Sequence, residues 1–210
     1  PRELEYQVND AEVETIIVLS NFVHTLEEVL PNTKLKHVIV SEIGDMFPPL
    51  KSLAFNLVMK HIKKMVPQYD IPNPVLLRRA LRIGRLIRFK EVPILNTDIA
   101  FLQYTGGTTG ISKGAMLSHG NMVANVEQAY AWMSQAGLEE GKEIIITALP
   151  LYHIFSLMAN CFAFLKVGVM NVLITNPRDI PGFIKELRKH RFIIITGVNK
   201  LKPAEMQMMP

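Results

Sequence analysis

Apolar and polar positions alternate along the first fifty residues in two rhythms. Glu3–Asp10 has the spacing of a short helix, and Thr15–Leu19 is an apolar run of strand length. Phe22–Leu30 returns to the helical rhythm and is stopped by Pro31-Asn32, after which Leu35–Val40 predicts a second strand. Gly44-Asp45 and Pro48-Pro49 mark a loop. Leu53, Leu57, Ile62 and Val66, set among Lys60, Lys63 and Lys64, then predict an amphipathic helix over Leu53–Val66. Pro67, Pro72 and Pro74 interrupt regular structure, and a second basic helix is predicted over Val75–Phe89, weakened at Gly84.

Further along, Ile99–Tyr104 reads as a strand and Ser118 as the N-cap of a helix to about Met133. Met122, Val123, Val126, Ala129, Tyr130 and Met133 fall on one side of that helix and are expected to face a core. Ile144–Ala148, Met170–Thr175 and Phe192–Thr196 predict three more strands, with a helix at Pro181–His190. Strands alternating with helices imply an α/β fold, doubly wound, with mostly parallel sheets flanked by helices.

Composition narrows the class. Apolar residues make up 49% and charged residues 20%, which suits a packed globular chain and excludes a disordered one. Cys161 is the only cysteine, so a disulfide framework and a cysteine-based zinc site are excluded and a reducing, cytosolic setting fits. Its apolar neighbours predict a buried structural thiol. Ile144–Leu165 runs 22 residues without a formal charge, enough to span a bilayer, but Pro150 and the interspersed polar residues favour a buried strand, a turn and a buried helix.

Charge is uneven. Lys60–Lys90 holds nine Lys or Arg and one acid, Asp70, in a chain of net charge +4. Such a segment suggests an anionic partner or a solvated surface. Nucleic acid fits poorly, because Tyr69 and Phe89 are its only aromatic stacking platforms. An anionic membrane surface is the other candidate partner and would set a cytoplasmic protein peripherally on the inner face of the cytoplasmic membrane; a solvated, variable surface is the alternative that stays open.

The segment that carries chemistry is Tyr104-Thr105-Gly106-Gly107-Thr108-Thr109-Gly110-Ile111-Ser112-Lys113-Gly114-Ala115. Glycines let a backbone approach a ligand closely, and successive N–H groups in such a turn form a nest for phosphate oxygens. The threonines add hydroxyl donors and Lys113 a positive charge. A Walker A loop needs Lys directly after Gly and before Ser or Thr, and Lys113 satisfies neither condition. The spacing also differs from the dinucleotide fingerprint.

YTGGTTGISKGA resembles the phosphate-loop signature of the adenylate-forming (AMP-binding) superfamily. With DIAFLQ before it, the form is most similar to bacterial long-chain-fatty-acid–CoA ligases. PRELEYQVND, SNFVHTLEEVLPNTKLKHVIV, GAMLSHGNMVANVEQ, ALPLYHIFSL and TGVN resemble that family in the same order, so the resemblance covers residues 1–199. It implies a partial AMP-binding domain that activates a long-chain fatty acid with ATP to an acyl-adenylate and passes the acyl group to coenzyme A. Tyr104 to Ala115 would bind nucleotide, with Lys113 set against phosphate charge. Tyr152 and His153 would lie by the substrate, His153 orienting its carboxylate, and Gly197 and Val198 would line the acyl pocket. Mg²⁺ would accompany ATP, with no metal ligand expected in this chain.

Residues 200–210 depart from the family pattern. The acidic metal-positioning motif, the ribose-binding aspartate and the small C-terminal domain with its lysine are expected outside these 210 residues. Two readings therefore stay open: an internal piece of a ligase, inactive in isolation, or a catalytically inactive truncated remnant, an α/β module that binds a nucleotide or nothing.

Overall fold

The computed structural model describes residues 1–106 and 112–197, which fall into two units. The first comprises 1–93 and 104–115, the second 94–103 and the chain from Met116 onward.

In the first unit α1 (Arg2–Asp10) leads into β1 (Thr15–Leu19), α2 (Val23–Val29) and β2 (His37–Ser41). Then come α3 (Pro49–Leu57), which runs on as a π-helix over Val58–Ile62, β3 (Val75–Leu76) and α4 (Leu77–Leu86). The three strands form a parallel sheet in the order β1-β2-β3, with Thr15 opposite His37 and Ile39 opposite Val75. Alternation decides which face is covered. Val38 and Val40 of β2 are buried against Val23, Leu26 and Val29 of α2, with Ile16 and Val18 packed beside them. Ile17, the intervening position of β1, stays exposed.

Several boundaries differ from the sequence expectation, the helix expected over Leu53–Val66 ending at Ile62 among them. α3 begins at Pro49 instead of Leu53, because a proline at the first helical position gives up only an N–H that has no intrahelical partner. Val75, expected to open a helix, instead pairs with β2, and the helix starts at Leu77 and ends at Leu86. β2 starts at His37, since the Lys36 and His37 amides both donate to the Glu14 carbonyl and fix the entry to the strand.

The strands β4 (Ile99–Thr105) and β5 (Lys113–Ser118) pair in a two-stranded sheet. In the second unit α5 (His119–Met133) starts at a reciprocal cap: Ser118 Oγ accepts from the Asn121 amide at 3.2 Å and Asn121 Oδ1 accepts from the Ser118 amide at 3.1 Å. Next are β6 (Ile144–Thr147), a π-helix over Ser156–Ala163 continuing into α6 (Phe164–Val167), β7 (Met170–Leu173), α7 (Ile180–Leu187) and β8 (Ile194–Thr196). Gly168, at φ 74°, ends α6 in the left-handed conformation.

The sheet order is β7-β6-β8, all parallel. Ile145 packs with Phe164 and Val167 of α6, while its neighbour Ile146 packs with Phe183 and Leu187 of α7. Adjacent residues of one strand thus face two helical layers, which is the doubly wound arrangement. It also explains the unbroken apolar run of β6, buried on both faces.

The expected core stripe of α5 is narrower than the sequence suggested. Met122 is buried and Val126, Ala129 and Met133 are half-buried, but Val123 is 57% exposed and Tyr130 39%. The spacing 122, 126, 129, 133 is a single seam, and 123 and 130 lie beside it. Lys166 sits over the Tyr130 ring at 4.8 Å, so that ring is used from outside the core. Cys161 is a free thiol, half-buried instead of fully buried. Among the described residues no helix is long and apolar enough to cross a membrane.

Candidate functional site

In the first unit, Tyr104 and Thr105 end β4 while Lys113, Gly114 and Ala115 begin β5, so the Gly/Thr-rich segment leaves one strand and returns on the next. Gly107, Thr108, Thr109, Gly110 and Ile111 lie outside the described residues. The two ends of the segment are held together. Ser112, buried, donates through Oγ to the Thr105 carbonyl at 3.1 Å. The Tyr104 ring lies against Gly114: a Cβ there would come within 2.9 Å of Tyr104 Cζ. Lys113 is exposed on the strand β5, which the sequence reading took for loop.

Because β5 intervenes before α5, the segment does not run into a helix N-terminus as a Walker A loop does. Tyr104 Oη donates to Asp10 Oδ2 at 2.5 Å. Partial burial, then this hydrogen bond and the Asp10 charge, push the Tyr104 phenol up to about 12, so it is a donor throughout the neutral range.

In the second unit the candidates gather at the carboxyl ends of adjacent strands. Pro150 to His153 follow β6 and Gly197 follows β8; Val198 lies outside the described residues. The carboxyl ends of strands where the order reverses are the usual ligand crevice of a doubly wound sheet. The turn closes through the His153 amide donating to the Pro150 carbonyl at 3.1 Å. His153 Nδ1 accepts weakly from the Phe155 amide at 3.4 Å, which leaves Nε2 as the ring's donor. Both Tyr152 and His153 are exposed.

Residues to which the sequence reading gives no site role hold this region. Gln103 Nε2 donates to the Tyr152 carbonyl at 3.1 Å, and fully buried Ser156 donates to the Leu149 carbonyl at 3.1 Å. Asn160, also fully buried, donates from Nδ2 to Thr147 Oγ1 at 3.0 Å and Thr196 Oγ1 at 2.6 Å. Thr147 Oγ1 donates in turn to Asn171 Oδ1 at 2.6 Å, and Asn171 Nδ2 donates to the Asn160 carbonyl. The only signal for them in the sequence is polarity inside an apolar run, at Thr147, Ser156 and Asn160 of the uncharged stretch Ile144–Leu165.

Among the described residues no three His, Cys, Asp or Glu side chains converge to hold a metal ion. These residues do not by themselves make a site for the Mg²⁺ that the family resemblance implies with ATP.

The pattern defining the family described as AMP-binding enzyme matches residues 1–207. A long-chain-fatty-acid–CoA ligase of Salmonella typhimurium (strain LT2) is 51% identical over 201 residues, covering 96% of this chain and 36% of the relative. A long-chain-fatty-acid–CoA ligase of Bacillus subtilis (strain 168) is 30% identical over 198 residues, covering 93% of this chain and 34% of the relative. The chain thus spans about a third of the length of these curated relatives. Among solved structures, a putative long-chain-fatty-acid CoA ligase from Rhodopseudomonas palustris superposes with a TM-score of 0.61 at 15% identity, covering 100% of this chain and 44% of that one. ATP-bound MatB from Rhodopseudomonas palustris does so with a TM-score of 0.59 at 20% identity, covering 99% and 36%. At these identities the likeness is one of fold.

Proposed function

Because the chain belongs to the AMP-binding enzyme family, we propose that it carries the nucleotide-phosphate and acyl-carboxylate elements of a long-chain-fatty-acid–CoA ligase. The observation that carries this reading is the neck formed by β4 and β5, which presents the Gly/Thr-rich segment and Lys113 from two paired strands. In the reaction, a fatty-acid carboxylate oxygen attacks the α-phosphorus of ATP. The bond to the bridging oxygen breaks, and pyrophosphate leaves with the electron pair. The sulfur of coenzyme A then attacks the acyl carbon of the mixed anhydride, loses its proton, and AMP departs.

The chain's own residues bind and orient. The hydroxyls of Thr105, Thr108 and Thr109 and the N–H groups of Gly106, Gly107 and Gly110 donate to phosphate oxygens, and Lys113 offsets their charge. His153 donates from Nε2 to the carboxylate, and Tyr152, Gly197 and Val198 line the acyl end. The buried hydrogen bonds of Ser156 and Asn160 support the two turns that bear these groups.

A specific observation also favours the membrane contact. α3 and α4 expose Leu53, Leu57, Leu86 and, just beyond, Phe89, interspersed with Lys60, Arg79, Arg82 and Arg85. Apolar residues beside exposed cations suit the surface of an anionic bilayer. The partner proposed is that lipid surface, on the cytoplasmic side where the enzyme would meet its amphiphilic substrate.

Equilibrium dialysis of ATP against the 210-residue chain and its Lys113→Ala variant tests the assignment. The expected outcome is retention of ATP that weakens about tenfold or more in the variant, the scale of one charge-assisted contact. The chain alone is expected to release no AMP with oleate and coenzyme A, since it spans only 36% of its relatives. Equal retention by both forms would refute the role of Lys113.

A further inference from the structure

We propose that Asp10 is a positioning residue for nucleotide binding: its hydrogen bond with Tyr104 anchors the neck of the 104–115 segment and sets how firmly that segment grips phosphate. The inference rests on the nucleotide-binding reading above and extends it to a residue about a hundred positions earlier in the chain.

Four observations lead there. First, Tyr104 Oη lies 2.5 Å from Asp10 Oδ2, a charge-assisted bond much closer than the alternative acceptors around either group. The Gln7 carbonyl is 3.4 Å from Tyr104 Oη, and Tyr6 Oη is 3.5 Å from Asp10 Oδ1. Second, the Tyr104 ring is wedged on Gly114, with a Cβ there 2.9 Å from Cζ and 3.2 Å from both Cε atoms. One tyrosine therefore touches both arms of the neck: it belongs to β4 and packs on β5. Third, Ser112 closes the same neck one step further in, through the Thr105 carbonyl.

Fourth, Asp10 sits where local preference opposes it. It is the last residue of α1, and no basic residue accompanies it in the last turn. A carboxylate at a helix C-terminus faces the negative end of the helix dipole. A residue that breaks a local rule without local compensation marks a position held for another reason, and here the compensation is Tyr104. The anchor is itself fixed. α1 buries Val8, and Asn9 Nδ2 donates to the Asn32 carbonyl at 2.9 Å. Force on the neck is thus passed to a helix that is tied down.

The consequence is preorganisation. Any backbone state of the neck that misaims a donor dilutes the binding-competent one. Fixing both ends of the segment removes part of that dilution before phosphate arrives. The phenol raised to about 12 keeps its proton, so the anchor is not switched within the neutral range.

The test uses the whole chain with Asp10→Ala, Asp10→Asn and Tyr104→Phe. Tyr104→Phe keeps the ring on Gly114 and removes only the hydroxyl, so it separates anchoring from packing. Amide hydrogen exchange is measured without ligand at the neck, residues 104–106 and 112–115, with β6 as the internal reference. ATP dissociation constants are measured alongside. Exchange at the neck should rise about tenfold in Asp10→Ala and Tyr104→Phe, less in Asp10→Asn, with β6 unchanged. ATP binding should weaken about five- to twentyfold in each, and the double variant Asp10→Ala/Tyr104→Phe should be no worse than either single one. Unchanged exchange at the neck would overturn the anchor whatever happens to ATP. Faster exchange with ATP affinity intact would overturn its link to binding. A parent chain that binds no ATP would sink the nucleotide reading instead, and the ligand-free exchange would still decide whether Asp10 anchors the neck.

Discussion

Asn160→Ala is the perturbation whose size follows most directly from the structure. Asn160 is fully buried in the π-helix, and its Nδ2 bridges the hydroxyls of Thr147 on β6 and Thr196 on β8. Truncation removes two neutral hydrogen bonds, each contributing about 1 kcal/mol net. Thr196 Oγ1, half-buried, is then left without that donor, a further cost of up to about 1 kcal/mol. One contribution has the opposite sign: Asn160 Oδ1 has no hydrogen-bond partner among the described residues, so its removal recovers about 1 kcal/mol. The balance is a destabilisation of about 1–3 kcal/mol, local to the second unit. Hydrogen exchange of the Ile145, Ile146 and Ile195 amides should accelerate about 5- to 150-fold, while β1 and β2 serve as reference. Exchange changed by less than about twofold would refute the reasoning, because it would mean the bridge contributes nothing net. Equal acceleration in β1 and β2 would refute its local character.

Gly168→Ala should destabilise the chain by about 1–2 kcal/mol in a denaturant titration, because its φ of 74° is disfavoured for an L side chain although no atom lies nearer than 3.6 Å to a new Cβ; an unchanged midpoint would contradict this. The Glu186 carboxyl is held below its ordinary value, first by the hydrogen bond from Lys189 and also by His190, so its stabilisation is present above the unfolded value and lost as pH falls through the lowered folded one. Glu186→Gln should therefore lower the urea midpoint at about pH 6, with the gap to the parent narrowing as pH falls through the lowered folded value; a gap that widens on acidification would contradict that sign. Arg79→Glu, Arg82→Glu and Arg85→Glu together should reduce co-sedimentation with anionic vesicles by at least about 100-fold, at about 1 kcal/mol per basic residue lost. Arg78 is left in place because it donates to Ser52 Oγ and the Phe47 carbonyl and holds α4 against α3. Equal sedimentation on neutral and anionic vesicles would rule this electrostatic docking out.

The elements legible in the sequence are those whose signal is local. β1, α2 and β2 appear within a residue or two of where alternation and Pro31 put them, and the Ser118 cap forms with its reciprocal Asn121 partner. What escaped depends on tertiary approach. β3 is two residues long and exists because β2 lies beside it, and Lys113–Ser118 becomes a strand through pairing with β4 although Lys113-Gly114 reads as loop. The π-helix at Ser156–Ala163 holds Asn160 and Ser156 in hydrogen bonds to β6, β8 and the Leu149 carbonyl, which no spacing rule encodes. The candidate site follows the same division. The Gly/Thr-rich segment and the Pro150 to His153 turn were visible as motifs. Their supports (Asp10 for one, Gln103, Ser156 and Asn160 for the other) became visible only where the chain returns on itself.

The central claim, that the 104–115 segment grips the phosphates of ATP, is tested most directly by photolabelling the 210-residue chain with an ATP analogue carrying its reactive group on the γ-phosphate. The label should map to peptides within 104–115, be competed by ATP, and fall about tenfold or more in the Lys113→Ala variant. Labelling that maps elsewhere in the chain, or that is indifferent to both ATP and Lys113, would contradict it.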